Sequence, residues 1–248
     1  MNDQVLETLR LKYFLRDENG ELLETEPEQM FRRVAHAVAS VEHTDARAFW
    51  EEQFYNLMAE YKFMPNTPCL MNAGTKIKSL AACFLVDMED SMEGIMGALG
   101  DAAKIFASGG GVGVPFSKLR ARGDLVSTTK GTSTGPVSFA HMFDAMVDTV
   151  KQGGKRRGAM MMTLSIDHPD ILEFIQVKRD KQRLNNMNLS VLLTDDFMRA
   201  VEKDTPYYAK DPRTGAQRHY SMPDGSHGPI SARYLMDLIS EGAWSDGE

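Results

Sequence analysis

From Phe63 onward, short apolar runs alternate with segments of helical periodicity, and this alternation limits the possible fold more than any other feature. Ala81-Ala82-Cys83-Phe84-Leu85-Val86 is short and continuously apolar, which is how a strand buried on both faces reads. Met92, Ile95, Met96, Leu99, Ala103 and Phe106 then recur at helical spacing. Asp90-Ser91-Met92-Glu93 supplies the helix start, with Asp90 as the N-cap of a capping box. A second periodic helix opens at Gly135-Pro136, carries Phe139, Met142, Phe143, Met146, Val147 and Val150, and stops at Gly153-Gly154. A Met-rich strand over 159–164, a short helix from Pro169, a strand over 188–193 and a helix opened by Thr194-Asp195-Asp196 follow. Strands separated by helices pair in parallel through crossovers, so the fold class is α/β.

The first part of the chain has a different texture. Met30, Phe31, Val34, Ala35 and Val38 follow Glu26-Pro27 at helical spacing, and Phe49, Trp50, Phe54, Leu57, Met58 and Tyr61 form the apolar face of a second helix. The charged stretch from Arg16 to Glu21, interrupted by Gly20, suits a surface turn. The expected organisation is a helical domain over 1–62 and an α/β domain over 63–248.

Composition excludes several function classes. No window approaches the ~18 uninterrupted apolar residues of a membrane span, and Met1-Asn2-Asp3-Gln4 has neither the basic nor the apolar region of a secretory signal, so a cytoplasmic protein is expected. A formal charge of −7 argues against a general nucleic-acid coat, which needs a positive face. Cys69 and Cys83 are too few for a disulfide framework in 248 residues, which leaves packing or redox chemistry for them.

Several positions have two readings on their own residues. Gly153-Gly154-Lys155-Arg156-Arg157-Gly158 is either a solvated basic turn or a mobile loop that meets phosphate or a base edge. Gly109 to Gly113 is a helix stop or a close approach to a ligand; no Gly-Lys-Ser/Thr follows, so it is not a Walker loop. Cys83 lies in an apolar run, where cysteine commonly packs as an inert hydrophobe. The six histidines have no metal-ligand spacing with either cysteine.

Taken in order, these stretches carry a resemblance. Asn66-Thr67-Pro68-Cys69-Leu70-Met71-Asn72-Ala73-Gly74-Thr75 is followed by Ala82-Cys83-Phe84-Leu85-Val86, Asp90-Ser91-Met92-Glu93-Gly94-Ile95 and Ser108-Gly109-Gly110-Gly111-Val112-Gly113. Gly153 to Met160, His168-Pro169-Asp170-Ile171-Leu172-Glu173-Phe174 and Asn185-Asn186-Met187-Asn188-Leu189-Ser190-Val191 complete the series. Together they resemble the catalytic chain of ribonucleotide reductases, above all the adenosylcobalamin-dependent class.

The resemblance implies a helical domain followed by the first half of a ten-stranded α/β barrel, itself built of two five-stranded halves. It implies reduction of a ribonucleotide at its 2′ carbon by thiyl-radical chemistry, with Cys83 as one member of the reducing cysteine pair. Thr67, Ala82 (serine in many relatives), Gly110 and Gly111 match positions that contact substrate, and Arg156 matches the arginine that meets the substrate base. Asp90 and Arg120 match residues that hold the sugar and phosphates of a deoxynucleoside triphosphate effector, beside the segment 121–132. Lys155 joins the effector set, on the loop that links effector to substrate.

The same resemblance implies a homodimer through the helices that start at Ser91 and Pro136, and a thioredoxin-type reductant. The family's Asn-x-Cys-x-Glu finger loop, which bears the radical cysteine, has no match in these residues, nor does the ATP-binding cone of many members. A separate chain carrying the carboxy-terminal half of the barrel, and most of the adenosylcobalamin site, is therefore expected. A shortened chain, or a nucleotide-binding regulator without catalysis, is the alternative.

Overall fold

The computed structural model describes residues 3–77, 79–127, 130–150, 160–180 and 183–247, in two compact units, Met1–Ala82 and Cys83–Glu248. The first unit is all helical. It contains α1 (Asp3–Lys12), α2 (Pro27–Ala39), α3 (Arg47–Ala59) and α4 (Thr67–Asn72). Met30, Phe31, Val34 and Ala35 of α2 form its core with Phe14, Met58, Leu70 and Ala73. Between α1 and α2, Arg16 and Leu22 form an antiparallel bridge around the Gly20 turn.

The division between the units falls later than residue 62 because α4 packs into the helical unit. Arg33 of α2 donates to the Leu70 and Ala73 carbonyls at the end of α4, and through Nε and Nη2 it clasps the buried Glu24 carboxylate. The α3 face differs from expectation: Phe49 and Tyr61 are exposed, and Met58 is the one buried residue of the helix. Apolar residues at 49, 50, 54, 57 and 58 spread over about half the circumference of a helix at 100° each, with Phe49 and Met58 on opposite sides, so they cannot all face one core.

The second unit contains a four-stranded parallel sheet, β1 (Cys83–Leu85), β2 (Gly111–Pro115), β3 (Met160–Ser165) and β4 (Met187–Leu192), in chain order. Helices α5 (Met92–Ala107) and α6 (Pro136–Thr149) are the first two crossovers, and α7 (Ile171–Gln176) belongs to the third. A parallel sheet whose strands follow chain order puts all its right-handed crossovers on one face. Accordingly Val112, Val114, Met160, Met162, Leu164 and Met187 are buried with Phe106 and Phe143 of the helices in one core.

Beyond β4 lie α8 (Asp195–Lys203), three ladders of two-residue strands between Pro206 and Ser231, and α9 (Ala232–Asp246). Thr194 caps α8 through its Oγ1, which accepts from the Phe197 N–H at 3.2 Å. Among the described residues, no helix is long and apolar enough to cross a membrane. The expected helical domain followed by a parallel α/β sheet is thus what the chain forms; the glycine stop at 153–154 lies outside the described residues.

Candidate active site and effector site

The sheet has one covered and one open face, and the register identifies the side chains on the open one. Cys83 pairs with Gly111, Leu85 with Gly113, Gly113 with Met161, and Met161 with Asn188; Thr163 pairs with Ser190 and Ser165 with Leu192. Alternation places all of these on the same side. Leu85, Met161 and Leu192 are 77%, 42% and 59% exposed, an apolar area of the kind that marks an interface or ligand face. The run from Ala81 to Val86 is therefore not a strand buried on both sides: β1 is an edge strand with Cys83 and Leu85 exposed and Phe84 half-buried. The alternating Asn188 and Ser190 were readable as a polar face in the sequence.

At the amino-terminal ends of the strands sit Cys83, which opens β1 with a free, exposed thiol, and Gly111, which opens β2 after Gly110. Lys155 and Arg156 precede β3 and lie outside the described residues. Gly110 has a structural task. Gly109, at φ +90°, donates to the Phe106 carbonyl and Gly110 to the Ile105 carbonyl, closing α5 with a Schellman motif. The Gly110 N–H thus points at its own helix in this conformation, not at a phosphate. A Cβ on Gly110 would lie 2.7 Å from Ile105 Cγ2 and 2.8 Å from the Phe84 ring. Gly110→Ala is expected to destabilise the unit by ~1–3 kcal/mol through overpacking. Urea denaturation measures this; unchanged stability with impaired nucleotide binding would return Gly110 to a purely ligand-contacting role.

Two further candidates belong to the first unit. Thr67 is the first residue of α4, after Asn66, whose Oδ1 accepts from the Cys69 N–H at 2.9 Å. Its hydroxyl lies 3.2 Å from the Tyr13 hydroxyl. Ala82 is half-buried and ends that unit.

At the carboxy-terminal ends of β1 and β2 the structure brings Asp90 and Arg120 together. Arg120 donates through Nε to Asp90 Oδ2 at 2.8 Å, through its backbone N–H to Oδ1 at 3.1 Å and through Nη2 to the Asp90 carbonyl at 3.2 Å. The expected capping role passes to Ser91, whose Oγ accepts from the Gly94 N–H at 2.9 Å. Asp90 is drawn away by a partner thirty residues along the chain, a contact no local pattern reports. Beside this pair Lys118 bridges Asp87 and Glu89 at 2.6 and 2.8 Å.

The segment after Arg120 is pinned at its base. Leu125 and Thr132 form a bridge, and Gly123 N and Ser133 N donate to the Ser133 and Asp124 carbonyls. Gly135, at φ +82°, lies against Asp170, whose Oδ2 accepts from the Arg122 N–H at 2.8 Å. His168 Nδ1 accepts from the Asp170 N–H, so Nε2 carries the proton that goes to the Leu119 carbonyl at 2.8 Å. Burial pushes the His168 pKa down, which agrees with a neutral ring in this structural role. Sequence reasoning missed Asp124, 8% exposed in its side chain, and its partners Arg213 and Arg218. Asp124 follows Gly123 in what reads as an ordinary turn, so no local signal distinguishes it.

Residues 81–248 match the family model described as the ribonucleotide reductase barrel domain, and residues 2–78 match its all-alpha domain. The chain belongs to the ribonucleotide reductase large-subunit family. Among its relatives, the vitamin B12-dependent ribonucleoside-diphosphate reductase of Mycobacterium tuberculosis (strain H37Rv) is 43% identical over 211 residues, covering 84% of this chain and 30% of that protein. The enzyme of the same description from Thermoplasma acidophilum is 36% identical, covering 98% of this chain and 38% of that protein. The ribonucleoside-diphosphate reductase large subunit of Caenorhabditis elegans is 36% identical over 203 residues, covering 79% of this chain and 25% of that protein. The chain thus spans about a third of the length of the B12-dependent reductases it matches.

Proposed function

We propose that this chain supplies the redox thiol and the nucleotide-recognition surfaces of a ribonucleotide reductase that makes deoxyribonucleotides. Cys83 is the observation that carries the reading. It is an exposed thiol at the start of a parallel strand, beside Gly111, on a sheet face left open to a ligand or a second half-barrel. In the reaction, two thiols give up two electrons and two protons; the 2′-hydroxyl leaves as water, hydrogen takes its place, and the thiols join as a disulfide. Cys83 is one of the two. The second thiol and the radical cysteine come from sequence outside these residues, and the names of the B12-dependent relatives point to diphosphate substrates. Thr67, Ala82, Gly111 and Arg156 contact the substrate; Asp90, Arg120 and Lys155 hold a deoxynucleoside triphosphate effector.

Adenosylcobalamin supplies the radical when bound. Among the described residues of the barrel unit, cavities of about 220, 230 and 370 Å³ lie at or below the lower end of the range for ligand pockets and are too small for a corrin. Its binding is assigned to the remainder of the barrel.

A homodimer through α5 and α6 accords with a second apolar stripe that these helices keep outside the core. Met92, Met96 and Met142 are 58%, 47% and 36% exposed. Both helices run against the strands and so parallel to each other. A two-fold axis across them would bring the carboxy-terminal end of the partner's α6 toward the Asp90 end of α5. Such a dimer would join two sites that lie at opposite ends of the sheet in one protomer.

The test is deoxyribonucleotide formation from ribonucleoside diphosphates with adenosylcobalamin, dithiothreitol and effector. The chain is assayed alone and with a polypeptide bearing the remaining half of the barrel. Turnover only in the mixture is the expected result. No turnover in either mixture, with effector still bound, leaves a nucleotide-binding regulator.

A further inference from the structure

Among the described residues, the cations beside Asp90 are already paired with carboxylates, and Lys155 lies outside the described residues. A triphosphate carries several negative charges, whereas Arg120 is already paired with Asp90 and Lys118 with Asp87 and Glu89. Cations committed to carboxylates attract a polyanion weakly.

A further guanidinium stands on the same stretch. Ala209–Lys210 and Gln217–Arg218 pair as a short antiparallel ladder. Its turn is built by Asp211, whose Oδ1 accepts from the Arg213 and Thr214 N–H groups at 2.9 and 3.2 Å. Arg213 reaches from this turn to Asp124 Oδ2 at 3.2 Å, while Arg120 Nη1 reaches the carbonyl of the next residue, Leu125, at 3.3 Å. Two arginines from distant parts of the chain therefore meet adjacent residues of the effector segment.

Arg213 is also the more loosely held. Its two side-chain bonds, to Asp124 and Asp211, are 3.2 and 3.3 Å, and its side chain is 42% exposed. Both carboxylates keep other partners besides the Arg213 guanidinium. Asp124 receives both Nη1 and Nη2 of Arg218 at 2.9 Å, and Asp211 keeps the two turn N–H groups and Arg218 Nη1 at 3.3 Å. Arg213 can therefore swing away without stranding a buried charge. Asp211 foremost, then Asp124 and Asp90, hold its guanidinium in the charged form, which places Asp90 within its electrostatic reach.

We propose that Arg213 is a second phosphate-binding cation of the effector site, turning from Asp124 onto the phosphates of a deoxynucleoside triphosphate held by Arg120, while Arg218 keeps Asp124 in place. The inference rests on the reading of Asp90 and Arg120 as effector ligands. Its test measures the dissociation constants of dATP, dGTP, dCTP and dTTP for the full chain and for its Arg213→Ala, Arg213→Lys and Arg120→Ala variants. Arg213→Ala is expected to weaken each nucleotide that the parent chain binds by about tenfold to a hundredfold, the loss of one charge-assisted contact, without regard to base. Arg213→Lys restores part of the affinity, because an ammonium keeps the charge but not the fork. The melting temperature of the unliganded Arg213→Ala chain stays at the parent value. Parent-like affinity in Arg213→Ala alongside weakened binding in Arg120→Ala overturns the role of Arg213 and leaves the effector reading standing; a loss confined to one base also overturns the phosphate role. If the parent chain binds none of the four nucleotides, the effector reading and this inference fall together.

Discussion

Cys83→Ser is expected to lower deoxyribonucleotide formation by the complemented enzyme by more than about a thousandfold, the scale of losing a group that enters the reaction covalently. Serine keeps the shape and the hydrogen bonding of the residue but cannot deliver an electron pair through disulfide formation. The fold gives no reason for the substitution to unfold the chain: Cys83 is exposed, at an edge strand, and free of any partner sulfur. Its stability cost should stay within about 0.5 kcal/mol, the ordinary range for a surface site. Effector binding should be intact. A second readout tests the thiol itself: after one turnover without external reductant, Cys83 should resist alkylation, and reduction should restore its labelling. Retention of a tenth or more of the activity in Cys83→Ser would remove this residue from the reducing pair and leave it a packing residue at the barrel edge.

How much of this was legible in the sequence depends on the range of the interaction concerned. Three of the four parallel strands and their helices were readable because burial repeats with the local period, as at Phe143 and Val147 of α6, whereas β2 begins inside the glycine run that reads as a helix stop. The cysteine, the glycines and the Asp90–Arg120 pair were legible only through a resemblance, since each has a bland local reading. What failed was local inference overridden at long range. Asp90 and Ser91 are both good N-caps, and the choice between them is made by Arg120, which claims the carboxylate. The open face of β1 looked buried because an apolar run cannot say which neighbour covers it. Asp124, Arg213 and Arg218 are joined across about ninety residues of chain by ion pairs that no spacing predicts. The turn that presents Arg213, Asp211-Pro212-Arg213-Thr214-Gly215, did carry a readable signal in its proline and glycine.

The largest loss of stability is expected from Arg33→Ala, and it bears on the proposed substrate contact Thr67 because Arg33 fixes the end of the helix that begins there. Its guanidinium meets Glu24 through Nε at 2.6 Å and Nη2 at 3.0 Å, and reaches the Ala73 and Leu70 carbonyls at 2.6 and 3.1 Å. Glu24 is 7% exposed in its side chain, and its one other hydrogen bond among the described residues is from the Leu15 N–H at 2.8 Å. Alanine would leave a buried carboxylate without its counter-ion and two carbonyls of α4 without a side-chain donor. Breaking a buried pair in this way costs ~3–5 kcal/mol, much more than the pair contributes relative to an apolar replacement of both partners. Lysine should rescue little, since one ammonium cannot span a carboxylate and two carbonyls as a planar fork does. Trp50 lies in the helical unit and Trp244 in the barrel unit, so Trp50 fluorescence in a Trp244→Phe background reports the unit concerned. Its urea midpoint should fall steeply in Arg33→Ala and recover in part when Glu24→Leu is added, because the second change removes the stranded charge. If the midpoint moves by less than the equivalent of about 1 kcal/mol, a surface-like value, the Arg33–Glu24 pair is solvated in solution. The docking of α4, and with it the placement of Thr67, would then rest on Leu70 and Ala73 in the apolar core alone.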